Sequence, residues 1–419
     1  MPKRTGIADL PLHTGTVPRW LADRMMSLGA LIVESVIENY GKREVLVRLS
    51  DPLWFQSFGA VLGMDWHSSG ITTSVMYALK RGLHSREKDL GIFVCGGRGK
   101  YSRETPTELL DLAYRTGLDG DSLVRSSKLC AKVDNTAVQD GFQLYQHNFI
   151  VTDEGDWAVV QQGMNVGVKA ARRYHWCSSN LRSFVEEPHT AVVGENCGEI
   201  LNLTSAKALD TRNSILEFSH ENPDRVLREI SQIVKPSRSI IVPAQYDLFN
   251  SASDRIIVET GRNCTMPAHH DVRAENVDLK RLGGVLAAAY ESNPKNFESL
   301  LLTPGLGPRT LQSLTLVSEV INGTPSRFSD PARFSFAHGG KDGHPFPVPC
   351  RIYDESIRVL SDSIEKAKLG CRDKMDCLNR LYETQTIIEN NCFPLADFDK
   401  TIAHERKHSK EWGGRIVGM

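Results

Sequence analysis

The sequence predicts an α+β protein, with a small β-sheet set among helices in a mixed N-terminal domain and a mostly helical C-terminal domain after it. Three observations predict it. Apolar residues repeat at helical spacing over residues 19–40 and over most of the chain after Val272. The segment GFQLYQHNFIVT, the acidic turn DEGD and the segment WAVVQQGM form two strand-like runs joined by a short loop. The run LGIFVCGG is short, apolar and ends in glycines, as a buried strand entering a loop does.

The elements follow in order. Residues 1–15 are an irregular arm carrying Lys3 and Arg4. Thr16 caps a helix with Pro18 in its first turn, and that helix runs to Tyr40 and stops at Gly41. Leu21, Met25, Leu28, Leu31, Ile32 and Ile37 form its core stripe. A shorter helix follows, and Ser50-Asp51-Pro52 starts another. Residues 90–97 are the buried strand, 106–115 a helix, and a second helix begins near Asp121. The hairpin comes next, and the basic segment KAARRYHW after it reads as a helix. Strand-like pieces recur at 189–193 and 200–203. Residues 223–234 look helical, and 237–242 form a short linking strand. From Val272 the chain is helical apart from a loop at 323–349. We place a boundary near Lys235-Pro236, giving a mixed domain over 1–235, a helical domain over 236–399 and a polar tail over 400–419.

The chain has 419 residues, enough for two or three domains. Its net charge of −1 excludes the global basic field of many nucleic-acid binders, so any DNA contact must come from local patches. Two patches are visible. Lys169, Arg172, Arg173 and Arg182 occur in 164–185 without an acidic residue, and CGGRGKYSR holds Arg98, Lys100 and Arg103. Nine cysteines, an odd number with no C-x-x-C pair, point to reduced thiols in a cytoplasmic protein. The N-terminus has no apolar core of a signal peptide, and no apolar run is long enough to span a bilayer.

The stretch LLLTPGLGPRTLQSLTLVSEVI, residues 300–321, has the pattern of a helix-hairpin-helix at about 296–322. Thr303 and Pro304 stop the first helix. Gly305 and Gly307 flank Leu306 in a tight turn that needs positive φ. Pro308 opens the next helix, and Leu311, Leu314, Val317, Val320 and Ile321 give it a buried face. The bare amides at its start suit a DNA phosphate, with Arg309 and Thr310 placed to add contacts. Such a module positions a protein on DNA without reading sequence.

Candidate chemistry concentrates in AKVDNTAVQDGFQLYQHNFIVTDEGDWAVVQQGM. Strand alternation puts Tyr145, His147 and Phe149 on one face, Gln146 and Asn148 on the other, and Gln161 opposite to Gln162. Asp134, Asp140, His147 and Gln161 could then hold Mg²⁺ or Mn²⁺, and a metal so held can activate water against a phosphodiester. The same residues also fit a polar hairpin whose amides satisfy one another. In GMDWHSSG, Asp65 and His67 can complete the site, or Asp65 or Ser68 caps a helix. HERKH at 404–408 matches a zinc-protease string but lies in a polar segment near the chain end, so it is set aside; no Walker-type phosphate loop is present. The turn also resembles helix-hairpin-helix glycosylases, which carry a catalytic Asp at the distance of Asp330. Lyase-active members have Lys where this chain has Arg309, so only a monofunctional glycosylase fits. Asp330 before Pro331 equally starts a turn. His338, Lys341 and Asp342 could line a pocket.

The blocks KRTGIADLPLH, DPLWFQSFG, GMDWHSSG, KVDNTAVQDG, WAVVQQGMN, ARRYHW, GLGPRTLQSLTLVSEVI and FSFAHGGKDG resemble a bacterial and archaeal domain-of-unknown-function family, number seven-six-three, from residue 3 to about 350. The resemblance implies a DNA-associated protein with a hairpin module and a link to nuclease activity. It assigns no catalytic residue. Taken together, the sequence points to a metal-dependent, structure-selective DNA nuclease. In it, Arg98, Lys100, Lys169, Arg172, Arg173 and the Gly305–Thr310 turn would hold phosphates. A monofunctional glycosylase acting through Asp330 and a non-catalytic DNA-binding protein are the alternatives. The sequence leaves assembly into a homo-oligomer open.

Overall fold

The structure, a computed structural model, describes residues 10–11, 17–64, 69–234, 265–267, 269–270, 272–273, 276–332 and 350–391. The fold is α+β, as the sequence predicts. The chain forms two compact units: Met1–Ala131, Leu144–Cys197 and Pro331–Met419 in the first, Lys132–Gln143 and Gly198–Asp330 in the second. The boundary expected near Lys235-Pro236, the linking strand at 237–242, the candidates Asp65 and His67, the loop carrying His338, Lys341 and Asp342, and the tail from 400 onward lie outside the described residues.

The first unit is built on one antiparallel sheet. Its strands are β1 (Leu10–Pro11), β2 (Ile92–Arg98), β4 (Gln143–Thr152), β5 (Trp157–Asn165), β6 (Ala170–Cys177) and β7 (Ala191–Val193). They run in the order β1-β6-β5-β4-β2, with β7 also paired to β6. The expected hairpin is β4–β5. The segment expected to be helical, KAARRYHW, is instead strand β6, with Gln162 opposite Arg173 and Val160 opposite His175. Ala and Arg are good helix formers, but this stretch is flanked on both sides by strands and buried along its whole length. Tertiary pairing overrides local propensity there.

Helices cover both faces of that sheet. On one side lie α1 (Arg19–Tyr40), α2 (Lys42–Ser50), α3 (Pro52–Val61) and α4 (Gly70–Leu83), and the core there joins Met25, Ile32, Phe55 and Phe58 to Ile92, Ile150 and Val160. Gly41 ends α1 at φ +91°, a conformation open to glycine. Asp51 caps α3, its Oδ1 accepting from the amides of Leu53 at 2.8 Å and Trp54 at 3.1 Å. Helices α13 (Cys350–Lys366) and α14 (Cys371–Asn391) pack against α1 and α3; α5 (Glu87–Leu90) is a single turn before β2. On the other side lie α6 (Lys100–Thr116) and α7 (Gly120–Lys132). The sequence places the start of α6 at Pro106; the helix begins six residues earlier and runs through that proline. Pro106 has no N–H for the Ser102 carbonyl, and the Thr105 hydroxyl donates to that carbonyl at 2.9 Å in its place.

Glu34 on α1 is nearly buried and takes Arg86 through both carboxylate oxygens and Lys368 at 3.1 Å. The Arg86 hydrogen bonds hold its carboxyl down to about 2 against a usual 4.5. A depressed carboxylate stabilises the fold above its unfolded pKa and loses that contribution as pH falls through the folded one. The wild type should therefore exceed Glu34→Gln by about 1–2 kcal/mol at neutral pH, since the cations are half exposed. Melts across the acid range should show the difference closing between pH 4.5 and about 2.

The second unit is helical around a three-stranded sheet, β3 (Val138–Gln139), β8 (Glu199–Asn202) and β9 (Phe328–Ser329), in the order β3-β8-β9. Its helices are α8 (Leu209–His220), α9 (Pro223–Ile233), α10 (Leu279–Ser292), α11 (Phe297–Leu301) and α12 (Pro308–Asn322). Leu311, Leu314 and Val317 are buried on α12 as expected. Val320 and Ile321 are 43% and 40% exposed, so the buried face ends a turn before the helix does. Instead Thr310, Gln312, Ser313, Thr315 and Ser318 are buried with the leucines, because packing surrounds the first three turns rather than one stripe.

Candidate nucleic-acid interface

Helix α11 is short and opens on Asn296, whose side chain accepts from the Ser299 amide at 2.9 Å. The chain bends through Leu302–Gly307 and enters α12 at Pro308. Gly305 sits at φ +83°, where a side chain is strained. Gly307 does not share that need: its backbone is extended, at φ −128° and ψ −179°. Pro304, Gly305 and Arg309 are exposed, while Leu306 is buried and anchors the bend.

The start of α12 carries no side-chain cap. The first amide with a backbone acceptor is that of Leu311, bonded to Gly307 O at 3.0 Å. Pro308 has no N–H, so the amides of Arg309 and Thr310 form the open end of the helix. Two carbonyls at the bend are turned inward. Lys132 Nζ donates to Leu306 O at 2.5 Å, and Gln139 Nε2 donates to Pro308 O at 2.8 Å. Burial pushes the Lys132 ammonium pKa down. Arg281 on α10 has its Nη2 3.5 Å from where a Cβ on Gly307 would stand. The bend thus presents amides and guanidinium groups, and two of its carbonyls, those of Leu306 and Pro308, are occupied.

Lys132 and Gln139 belong to a segment with an unusual backbone. Residues Val133–Ala137 form a π-helical turn, closed by the Val138 amide on Val133 O. Such a turn adds one residue to the helical spiral. It redirects the chain from α7 into β3, which pairs with β8. The polar block KVDNTAVQDG therefore braces the bend. Asp134 is wholly buried in the π turn, and Asp140 Oδ1 accepts from the Phe142 amide at 2.9 Å.

His147 and Gln161 come together in the first unit, on the face that meets α7. Gln161 Nε2 donates to Cys130 O at 3.0 Å, which turns its Oε1 toward His147 Nδ1 at 2.7 Å. Nδ1 therefore carries the proton, and Nε2 accepts from the Ser127 hydroxyl at 2.9 Å. Both ring nitrogens are engaged and the ring is buried. Asp134 and Asp140 belong to the second unit. Among the described residues, no group of three or more His, Cys, Asp and Glu comes together to hold the expected Mg²⁺ or Mn²⁺.

The other expected contacts are dispersed. Arg98 and Lys100 are exposed where β2 passes into α6, over the rings of Tyr145 and Tyr101 at 5.7 and 5.2 Å. Lys169 is exposed in the β5–β6 turn at φ +54°. Arg172 and Arg173, expected to clamp phosphates, are both 0% exposed because β6 is covered on both faces. Arg172 reaches the carbonyl of Glu195 and lies 3.4 Å from Cys197 Sγ. Asp330 is buried at the end of β9, its amide bonded to Gly198 O at 2.8 Å. Lys132, Gln139 and Arg281 are the residues at the bend that sequence reasoning missed. Each is distant along the chain from Gly307, and no local pattern ties them to it.

A family model described as a protein of unknown function, DUF763, matches residues 6–348. No curated protein and no solved structure matches the chain. No described helix is long and apolar enough to cross a membrane.

Proposed function

We propose that this chain, which belongs to the DUF763 family, binds DNA through its phosphate backbone at the bend between α11 and α12. The observation that carries the reading is the open start of α12, with the amides of Arg309 and Thr310 beside Arg281 and the carbonyls of Leu306 and Pro308 turned inward by Lys132 and Gln139. A phosphate oxygen meets donors there from several directions, and none of them reads a base, so binding is independent of sequence. Arg98, Lys100 and Lys169 are exposed cations that can extend the contact within the first unit. The proposal does not extend to metal-assisted hydrolysis or glycosidic cleavage. His147 spends both ring nitrogens on Ser127 and Gln161, and Asp330 is buried.

Gly307→Val tests it. The glycine is extended, and a Cβ there makes ordinary contact with Arg281 at 3.5 Å, so the fold should tolerate the change. The branched side chain would stand where the phosphate approaches. Anisotropy with a labelled duplex should show roughly ten-fold weaker binding, about 1.4 kcal/mol, at an unchanged melting temperature. Equal affinity in a folded variant would remove the bend from DNA binding.

A further inference from the structure

The tip of the β5–β6 hairpin carries apolar surface that its turn does not need. Val166 and Val168 are 68% and 67% exposed on either side of Gly167. Other residues set the turn. Asn165 Oδ1 accepts from the Gly167 amide at 3.0 Å and the Val168 amide at 3.3 Å, and Lys169 adopts the left-handed conformation at φ +54°. Branched apolar side chains are poor turn residues, being stiff and unfavourable in water. The base of the hairpin is packed: β5 is buried from Trp157 to Gly163, and β6 throughout. Two valines are thus held out in solvent on a firm support.

The strand order brings basic and aromatic groups to the same end of the sheet. β4 and β5 are neighbours joined through residues 153–156, so the start of β4 lies beside the end of β5. At that end Arg98, the last residue of β2, stands opposite Gln146, and the Gly99 amide donates to Tyr145 O at 2.7 Å. Lys100 and Tyr101 then open α6, both exposed, with the Lys100 ammonium 5.2 Å from the centre of the Tyr101 ring. The hairpin tip lies two to three strand spacings from this junction. That is about 12 Å, or three to four steps of a nucleic-acid strand at about 3.4 Å each. Around this end the described cations Arg98, Lys100, Arg103 and Lys169 outnumber the carboxylates Glu104 and Glu195.

We propose that this end of the sheet engages DNA where a duplex opens into single strands. The proposal rests on the reading of the chain as a DNA-binding protein and names the DNA structure it prefers. The valine tip covers the last base pair as an apolar wedge, the Tyr101 ring stacks on an unpaired base, and Arg98, Lys100 and Lys169 take the phosphates. A wedge entering a closed duplex must first unstack a base step. At a fork the terminal pair is already bare on one side, so the tip covers it without that loss.

Anisotropy of the full chain with a labelled closed duplex, and with the same duplex ending in two non-complementary tails, tests the proposal. Wild type should bind the fork about ten-fold more tightly. Val166→Ser combined with Val168→Ser should abolish that preference. Its affinity for the closed duplex and its melting temperature should not change, because both side chains are exposed. Gly307→Val should weaken binding to both DNAs by the same factor and keep the preference. A base analogue that fluoresces when unstacked, placed at the junction, should brighten with wild type and not with the double variant. Equal affinity of wild type for fork and duplex, or a preference that survives in the double variant, overturns the wedge and leaves DNA binding standing. No binding to either DNA overturns both. If the double variant does not fold, the base analogue with wild type decides: brightening supports the wedge, and an unchanged signal on a bound fork overturns it.

Discussion

His147→Ala should destabilise the first unit by about 3–5 kcal/mol. The change leaves a cavity under α7 and removes two hydrogen bonds at once, those to Ser127 at 2.9 Å and Gln161 at 2.7 Å. Ser127 and Gln161 are themselves buried, so water cannot readily replace the ring. Denaturant unfolding followed by circular dichroism should show a lower midpoint at an unchanged slope. The outcome separates two roles for the same residue. A ring kept for packing and hydrogen bonding is expensive to delete. A ring kept for chemistry at an open site can be removed with little change in stability, and a loss below about 1 kcal/mol would return His147 to the catalytic candidates.

Gly96→Ala should cost a comparable amount, about 3–4 kcal/mol, from a single methyl group. Gly96 has φ +86°, a region that costs an L residue about 1–2 kcal/mol. Its Cβ would also stand 2.2 Å from the backbone oxygen of His147 and 2.6 Å from Thr105 Oγ1. The neighbouring strand cannot move aside cheaply, and forced shifts of this kind add about 1–3 kcal/mol. Three further bonds converge here. The Gly96 amide donates to Glu108 Oε2 at 2.7 Å, its carbonyl accepts from Lys80 Nζ at 2.7 Å, and Lys80 pairs with Glu108 at 2.7 Å. A backbone shift strains this triangle as well as the ladder between β2 and β4. A melting temperature within a degree of wild type would show that the strand ends more loosely than these contacts imply.

The sequence made the helical elements legible where their ends carry chemistry: Gly41 after α1, Asp51-Pro52 before α3, Pro308 at the start of α12. The β4–β5 hairpin was equally clear, because alternation and an acidic turn coincide there. Strand β6 was not. Its Ala-Ala-Arg-Arg opening contains no β-branched residue, and only its neighbours in the sheet make it a strand. The same burial explains why Arg172 and Arg173 read as surface cations; a charge run says nothing about which strand will be covered on both faces. Pro106 misplaced the start of α6 because the compensating Thr105 hydroxyl is a local exception to a general rule. The bend was found from its glycines and proline. Its support from Lys132, Gln139 and Arg281 comes from distant parts of the chain, and a one-dimensional pattern carries no such information. Alternation put one of Gln161 and Gln162 on the His147 face without saying which, and it could not show the division that puts Asp134 and Asp140 in the other unit.

The DNA proposal stands or falls on a salt titration. Duplex affinity measured across a range of sodium chloride should fall linearly on a double-logarithmic plot, with a slope of about 0.9 for each phosphate neutralised. Arg309→Ala should make that slope shallower by about 1, since one exposed guanidinium beside the open end of α12 is lost. An identical slope and affinity in Arg309→Ala, or no measurable binding by the wild type at low salt, would contradict the reading of the bend as a phosphate clamp.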